Sequence, residues 1–138
     1  MLLYELKLRY ERQTGEDNPG RVKETYLLEG LNCSDVEGRL MEQIKPYIFG
    51  DCEVLNCRKV QYFDIFPGLD ADEWYKSRVE MITVEDDGKE TRKAVNILIQ
   101  AADILSAAKA LRERLSGLDC EIMAIYKSHI VEFYRAVD

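Results

Sequence analysis

Histidine is almost absent from this chain, which has only His129 among its 138 residues. The sequence also lacks a glycine-rich phosphate loop, a nucleophile elbow and a pair of histidines at metal-ligand spacing. In the internal repeat described below, the counterpart of His129 is Gln61, which cannot perform acid–base chemistry. The sequence therefore predicts neither a catalytic centre nor a cofactor.

Long apolar runs are lacking as well. No segment reaches the roughly 18 apolar residues of a membrane span. The chain starts by alternating apolar and charged residues from Tyr4 to Lys7, which is unlike a signal peptide. A hydrophobic fraction of 46% and a charged fraction of 33% are typical of a globular protein. These features predict one cytoplasmic domain, residues 1–138, without a membrane partner.

Positive charge is in deficit, because 19 Lys and Arg face 26 Asp and Glu, for a net charge of −7. Affinity for nucleic acid comes largely from Lys and Arg that release counterions from phosphates, so nucleic acid is not the expected partner. Two small basic clusters carry the alternative interpretation, a phage-type accessory protein associated with nucleic acid. They consist of Arg58 with Lys59, and Lys89 with Arg92 and Lys93.

The four cysteines, Cys33, Cys52, Cys57 and Cys120, lack the tight pairing of a structural zinc site. Cys52 and Cys57 are separated by an odd number of residues on a predicted strand, so their side chains point to opposite faces. We therefore predict no metal site. Without an export signal we also predict no disulfide, and we interpret Cys52 and Cys120 as small core residues.

Two matched segments indicate an internal duplication. Residues 51–54 read Asp-Cys-Glu-Val, and residues 119–122 read Asp-Cys-Glu-Ile. The match extends upstream at an offset of 71 residues and downstream at an offset of 68. Aligned pairs include Tyr26 with Ile97, Leu40 with Leu111, Asp64 with Glu132, and Ile65 with Phe133. We predict a first repeat at 1–66, a joint at 67–73 and a second repeat at 74–138.

The matched triplets also supply carboxylates. Asp51 and Glu53 fall at the same place in the first repeat as Asp119 and Glu121 in the second. Brought together across a pseudo-twofold axis, four carboxylates could bind a divalent cation. The favoured interpretation is simpler: the aspartates end the helix–strand turns, and the glutamates face solvent.

The sequence of each repeat predicts the element order β-β-α-β. Strict alternation from Tyr4 to Tyr10 is typical of a half-buried strand, and turn residues from Thr14 to Gly20 join it to a second strand. The predicted strands are 4–10, 22–29, 52–66, 75–84, 90–99 and 120–136. The predicted helices are 34–48, capped by Asn32 or Ser34, and 103–116, capped by Asp103.

Apolar residues at helical spacing define the inner face of each predicted helix. These residues are Val36, Leu40, Ile44, Tyr47 and Ile48 in the first, and Ile104, Ala108, Leu111, Leu115 and Leu118 in the second. The predicted fold class is α+β. An internally duplicated β-β-α-β unit forms one mostly antiparallel six-stranded sheet, with each third strand beside the first and both helices packed on one face.

Tyrosine is in excess, with eight against four Phe and one Trp. Its apolar ring and polar hydroxyl favour interfaces and the wet margins of sheets. We therefore predict a non-catalytic binding or assembly protein that acts through protein–protein contacts, with a homodimer as a further expectation. The candidate interaction surface consists of Tyr62, Tyr126, Tyr134, Arg58, Lys59, Lys89, Arg92 and Lys93.

The chain as a whole resembles a small family of unknown function found in gut-anaerobe bacteria and their phages. The resemblance rests on the first strand from Tyr4 to Tyr10, the central hairpin, and the long third strand ending at 63–66, Phe-Asp-Ile-Phe. It covers nearly the full length. It implies a stand-alone cytoplasmic protein without an assigned activity, and it transfers no functional residues.

Overall fold

A computed structural model describes residues 2–12, 21–68 and 70–136. The predicted turn from Thr14 to Gly20 lies outside the described residues. Within these ranges neither helix is long and apolar enough to cross a membrane. The elements, in chain order, are β1 (Leu2–Arg12), β2 (Arg21–Gly30), α1 (Cys33–Ile44), a 3-10 turn (Lys45–Tyr47), β3 (Ile48–Val60), β4 (Asp64–Phe66), β5 (Glu73–Val84), β6 (Glu90–Ala101), α2 (Ile104–Arg114), β7 (Cys120–Lys127) and β8 (Ile130–Tyr134).

The chain divides into two compact units. Unit 1 contains residues 1–60 and 129–138, and unit 2 contains residues 61–128. The sheet of unit 1 has the strand order β3-β1-β2-β8, and that of unit 2 has the order β4-β6-β5-β7. The α+β class is confirmed, with two four-stranded sheets in place of the single six-stranded sheet that we predicted.

Each unit keeps the predicted pairing of the third strand beside the first. In unit 1, β1 pairs antiparallel with both β2 and β3. In unit 2, β5 pairs antiparallel with both β6 and β7. One helix packs on each sheet, because alternating residues of the strands present an apolar face to it.

The prediction of two long strands at 52–66 and 120–136 was wrong in their extent, because each of these segments forms two separate strands. After the break the chain crosses to the other unit: β4 pairs parallel with β6 in unit 2, and β8 pairs parallel with β2 in unit 1. Each crossing strand covers the edge of a hairpin, which would otherwise carry unsatisfied backbone groups. We call this arrangement the strand exchange.

The helices begin where predicted and end earlier. The side chains of Asn32 and Asp103 accept hydrogen bonds from backbone N–H groups in the first turns of α1 and α2. Pro46 lies in the 3-10 turn that ends α1, since proline cannot continue a helix interior.

The predicted inner faces need correction at their outer members. Fully or nearly fully buried residues are Val36, Leu40 and Ile44 in α1, and Ala107, Leu111 and Leu115 around α2. Tyr47, Ile104 and Leu118 are exposed, and Ile48 belongs to β3. Tyr47, Ile48 and Leu118 fall outside the helices because each helix ends earlier than predicted. In α2 the inner face begins at Ala107 rather than at Ile104 and Ala108, so in both helices the buried positions are four residues apart in three successive turns.

A β-bulge occurs at the same place in both units. The register between β1 and β3 shifts at Lys7/Leu8, and the register between β5 and β7 shifts at Arg78/Val79. Tyr10 then pairs with Cys52, as Met81 pairs with Cys120. Both cysteines carry free thiols and are half-buried beside their respective cores.

The prediction that the chain has no disulfide is wrong. Cys33 at the start of α1 and Cys57 in β3 form a disulfide. The charged residues near the start of the given sequence could not exclude it, because geometry and redox conditions decide whether two thiols join.

We expect Ile130→Ala to lower the free energy of unfolding of unit 1 by about 2 kcal/mol. Ile130 is buried on β8, and its truncation would leave a cavity beside β2. Hydrogen exchange of β2 amides should report the loss. The matched control is Val131→Ala on the same strand, since Val131 is 42% exposed. Equal protection in both variants would contradict the placement of β8 in unit 1.

Candidate binding site in the first unit

A cavity of about 390 Å³ lies in unit 1 where the end of α1 meets β1, β2 and β8. We call it the tyrosine pocket. It is lined by Tyr10, Glu24, Tyr26, Gln43, Ile44, Pro46, Tyr47, Val131, Glu132 and Tyr134. Its volume is within the usual range for small-ligand sites, and its walls combine aromatic rings with carboxylates.

Glu24 forms the polar floor of the pocket and is only 7% exposed. Its two carboxylate oxygens accept hydrogen bonds from two phenols, Tyr10 Oη to Oε1 and Tyr26 Oη to Oε2, each at 2.6 Å. This length is typical of charge-assisted O–H···O⁻ bonds. A buried carboxylate is costly unless such bonds compensate for lost hydration, so the two tyrosines hold Glu24 in place.

Local sequence explains this placement. On β2, alternation places Val22, Glu24 and Tyr26 on the face that α1 covers. The 3-10 turn after α1 carries Tyr47, which is 66% exposed, at the rim of the pocket.

The strand exchange supplies the last wall. Tyr134 on β8 stacks on Tyr26, with ring centroids 6.2 Å apart and an interplanar angle of 19°. Burial, followed by the hydrogen bond to Glu24, raises the pKa of Tyr26 well above its ordinary range. Burial also raises the pKa of Tyr134. Both phenols therefore stay protonated at neutral pH.

Unit 2 has apolar residues at the matching register positions. Met81 takes the place of Tyr10, Val95 that of Glu24, Ile97 that of Tyr26 and Phe66 that of Tyr134. Ile97 belongs to the buried hydrophobic core of unit 2, and the other three are partly buried and pack against it. Unit 2 thus folds without counterparts of Tyr10, Glu24, Tyr26 and Tyr134, which we call the tyrosine–glutamate cluster, so the fold does not require it.

The predicted interaction residues are divided between the two units. Arg58, Lys59 and Tyr134 lie in unit 1, with the first two on β3 and Tyr134 on β8, at opposite edges of the sheet. Tyr62, Tyr126, Lys89, Arg92 and Lys93 lie in unit 2. Only Tyr134 contributes to the tyrosine pocket.

The two arginines of the basic clusters are engaged by carboxylates. Arg58 donates two hydrogen bonds to Glu5, at 2.8 and 3.1 Å. Arg92 contacts Glu80, Glu90 and Glu121, at 3.4, 3.4 and 2.6 Å. Hydrogen bonds to Glu121 and Glu80 raise the pKa of Arg92. These contacts reduce the positive charge that both clusters present to solvent.

Neither of the two predicted interaction tyrosines in unit 2 lines the tyrosine pocket. Tyr62 is half-buried, with the ammonium of Lys76 5.8 Å from its ring centroid. Tyr126 is exposed on β7. His129 is exposed at the start of the segment that enters unit 1.

The four carboxylates of the matched triplets are also divided between the units. Glu53 forms an ion pair with Arg9, and Glu121 forms one with Arg92. Asp51 and Glu53 line a second cavity of about 400 Å³ together with Arg9, Glu11 and Arg21. Among the described residues, no group of three or more His, Cys, Asp and Glu is placed to hold a metal ion.

Sequence reasoning missed Glu24, the central residue of the pocket. Two signals could have found it. Glu24 is a charged residue in the buried phase of an alternating strand, and its aligned partner in the second repeat is Val95. Comparison of the repeats at positions that differ, rather than at those that match, would have identified the cluster.

The raised pKa of Tyr26 predicts a loss of stability at alkaline pH. The unfolded chain releases this proton near the ordinary value of 10.0, whereas the folded protein retains it to higher pH. The stabilisation is therefore complete below pH 10 and decreases as pH rises further. In urea unfolding between pH 9 and 11, Tyr26→Phe should reduce the slope by up to about 1.4 kcal/mol per pH unit. Tyr126→Phe, the control, should leave it unchanged, and equal slopes for both variants would contradict the prediction.

The comparisons with known proteins agree with a full-length domain. The family model described as Domain of unknown function (DUF4494) matches residues 2–136. No curated protein matches the chain. The match confirms the expectation of a family of unknown function that covers nearly the whole sequence.

Proposed function

The chain belongs to the DUF4494 family, a domain of unknown function, and we propose that it is a non-catalytic binding protein that engages a partner protein through the tyrosine pocket. One observation carries this proposal: the tyrosine–glutamate cluster occupies unit 1 at positions where unit 2 is apolar. Burial of Glu24 opposes folding unless its hydrogen bonds compensate. A ligand-binding role accounts for its presence.

The aromatic character of the pocket favours a protein partner. Tyrosine is enriched at protein interfaces, where its rigid ring supplies contact area at low entropic cost. Tyr47 and Val131 are exposed at the pocket and can contact a bound chain. The alternative, association with nucleic acid through Arg58, Lys59, Lys89, Arg92 and Lys93, is less well supported because both arginines are held by carboxylates.

Photocrosslinking in the native host tests this proposal. A photoreactive phenylalanine analogue at position 47, on the rim of the pocket, should give a discrete protein adduct. The same analogue at position 126, exposed on unit 2, is the matched control. Glu24→Gln should remove the adduct, with circular dichroism used to verify folding and Tyr26→Phe as a second variant. Identical adducts at both positions would contradict the proposal, and a nuclease-sensitive adduct would favour the nucleic-acid alternative.

We also propose that the two units arose by duplication of one β-β-α-β sequence. The matched triplets, the bulges at Lys7/Leu8 and Arg78/Val79, and the strand exchange support this origin. Asp64 pairs with Ile97 as its aligned residue Glu132 pairs with Tyr26. Thus even the crossing strands keep equivalent registers.

We make two further proposals, on the source of the family and on the location of the protein. The first is that the family occurs in gut-anaerobe bacteria and their phages. Cytoplasmic location is the second proposal, and the Cys33–Cys57 disulfide weighs against it because stable disulfides are rare in reducing compartments.

We further propose that the protein forms a homodimer without metal. The strands β3 and β8 form the edges of the sheet in unit 1, and natural proteins cover or blunt such edges. Light scattering at micromolar concentration should give twice the monomer mass, both with and without a chelator. A monomeric mass would contradict the dimer, and dissociation by the chelator would contradict its metal independence.

A further inference from the structure

Unit 2 contains its own cation at the position that corresponds to the tyrosine pocket. The guanidinium of Arg114, in the last turn of α2, lies 5.2 Å from the ring centroid of Phe66 on β4. Such a separation is typical of a cation–π interaction. Arg114 and Phe66 correspond to Gln43 and Tyr134 of unit 1, at the offsets of 71 and 68 residues. Unit 1 therefore retains the aromatic ring and replaces the cation by a neutral amide.

The end of α1 also differs in charge from the end of α2. A helix carries partial negative charge at its C-terminus, which basic residues in the last turn neutralise. The last turn of α2 contains Arg112 and Arg114, whereas that of α1 contains no basic residue and is followed by Lys45 at its C-cap. Gln43 and Ile44 line the tyrosine pocket and Lys45 does not, so the end of α1 adjoins the pocket without placing a cation among its described lining residues.

The side chains of the pocket add acceptors and π faces. Tyr10 and Tyr26 donate hydrogen bonds to Glu24, which places a carboxylate acceptor at the floor of the pocket. Glu132 supplies a second carboxylate, and the described lining residues include no lysine or arginine. A ligand that carries positive charge and N–H donors complements this surface, whereas an anion would meet like charge.

We infer that the tyrosine pocket binds the guanidinium group of an arginine side chain on the partner protein, in the position that Arg114 fills within unit 2. This inference rests on the proposed function and names the chemistry of its ligand. A planar guanidinium stacks on aromatic rings and presents five donors in a fixed fork, which an ammonium cannot do. The stacked Tyr26 and Tyr134 provide the aromatic surface.

Titration of the full-length protein with small probes, followed by ¹H–¹⁵N NMR, tests the inference. The probes are n-butylguanidinium, n-butylammonium, n-butanol and butyrate at constant ionic strength. We expect n-butylguanidinium to shift the amides of Tyr10, Tyr26 and Tyr134, and to bind more tightly than n-butylammonium. Neither n-butanol nor butyrate should shift them.

Two variants with the same change in charge distinguish occupation of the pocket from a general effect of charge. Gln43→Arg introduces into α1 the residue that α2 has at this position, so its own guanidinium should occupy the pocket and binding of n-butylguanidinium should be lost. Glu42→Gln adds the same unit of positive charge on the neighbouring exposed residue, which does not line the pocket. This control should retain binding.

The outcomes separate the ligand class from the proposed function. Equal binding of n-butanol, binding of butyrate, or retention of binding in Gln43→Arg would overturn the guanidinium inference and leave the pocket a binding site. If no probe shifts the pocket amides, the guanidinium inference fails, and the photocrosslink at position 47 decides the proposed function separately. Tighter binding of N-acetyl-arginine amide than of free arginine supports a partner side chain, whereas the reverse order would replace the partner by the free amino acid.

Discussion

Replacement of Leu40 or Leu111 by alanine should lower the free energy of unfolding of the affected unit by about 2–5 kcal/mol. Both leucines are fully buried at the centre of the inner helix faces, Leu40 in α1 and Leu111 in α2. Each truncation removes apolar area from the core and leaves a cavity that the surrounding strands cannot fill completely. Denaturant unfolding followed by hydrogen exchange in each sheet should show the loss in one unit at a time.

The matched control for these substitutions is Leu105→Ala. Leu105 lies in the first turn of α2 and is 80% exposed, so its truncation removes little buried area. We expect its effect to stay within about 0.5 kcal/mol. A change below about 1 kcal/mol at Leu40 or Leu111 would contradict the assigned helix faces.

Reduction of the Cys33–Cys57 disulfide should destabilise unit 1 by about 3 kcal/mol and leave unit 2 unchanged. The bond closes a loop with a sequence separation of 24. In the chain-entropy description, such a closure restricts the unfolded chain and contributes about this much. Unfolding with and without dithiothreitol, followed in each unit by hydrogen exchange, measures the difference.

A variant that carries both Cys33→Ser and Cys57→Ser provides the control for reduction, since its stability should not respond to dithiothreitol. Thiol titration of the wild-type protein in denaturant gives an independent check. Two of the four cysteines, Cys52 and Cys120, should react before reduction, and all four after it. Four reactive thiols without reductant would show that the disulfide had not formed.

The local elements of this fold were predictable because their signals are local. Alternation from Tyr4 to Tyr10 identified β1, and the cap candidates Asn32 or Ser34, and Asp103, identified the helix starts. The pairing of β3 with β1 also followed from the order of the elements and from the right-handed strand–helix–strand crossover. Such features depend on residues close in sequence or on general rules of chain connectivity.

The strand exchange could not be predicted in this way. An apolar pattern shows that residues 64–66 and 130–134 form strands, but it does not identify the strands with which they pair. Only residues 61–63 separate β3 from β4, and only residues 128–129 separate β7 from β8, so a single long strand is the simplest interpretation of either sequence. Only the three-dimensional structure reveals that β4 pairs with β6 and β8 with β2.

The assembly of the tyrosine pocket could not be predicted for the same reason, although the difference between Glu24 and Val95 in the aligned repeats marks its central residue. Its floor comes from β1 and β2, its rim from the end of α1, and its outer wall from β8. Tyr134 was identified as an interaction residue because it is aromatic, whereas Glu24 was overlooked because charge on a strand usually faces water. The hydrogen bonds from Tyr10 and Tyr26 are what make its burial tolerable.

Because of the strand exchange, the two units are completed at different times during synthesis of the chain. Unit 2 is one continuous stretch, residues 61–128, and has all its strands before the ribosome reaches β8. Unit 1 begins first and is completed last, because β2 receives its parallel neighbour only when residues 130–134 emerge. Since Val131, Glu132 and Tyr134 line the tyrosine pocket, a nascent or truncated chain that lacks them has no complete pocket. Recognition through this pocket would therefore distinguish finished molecules from unfinished ones.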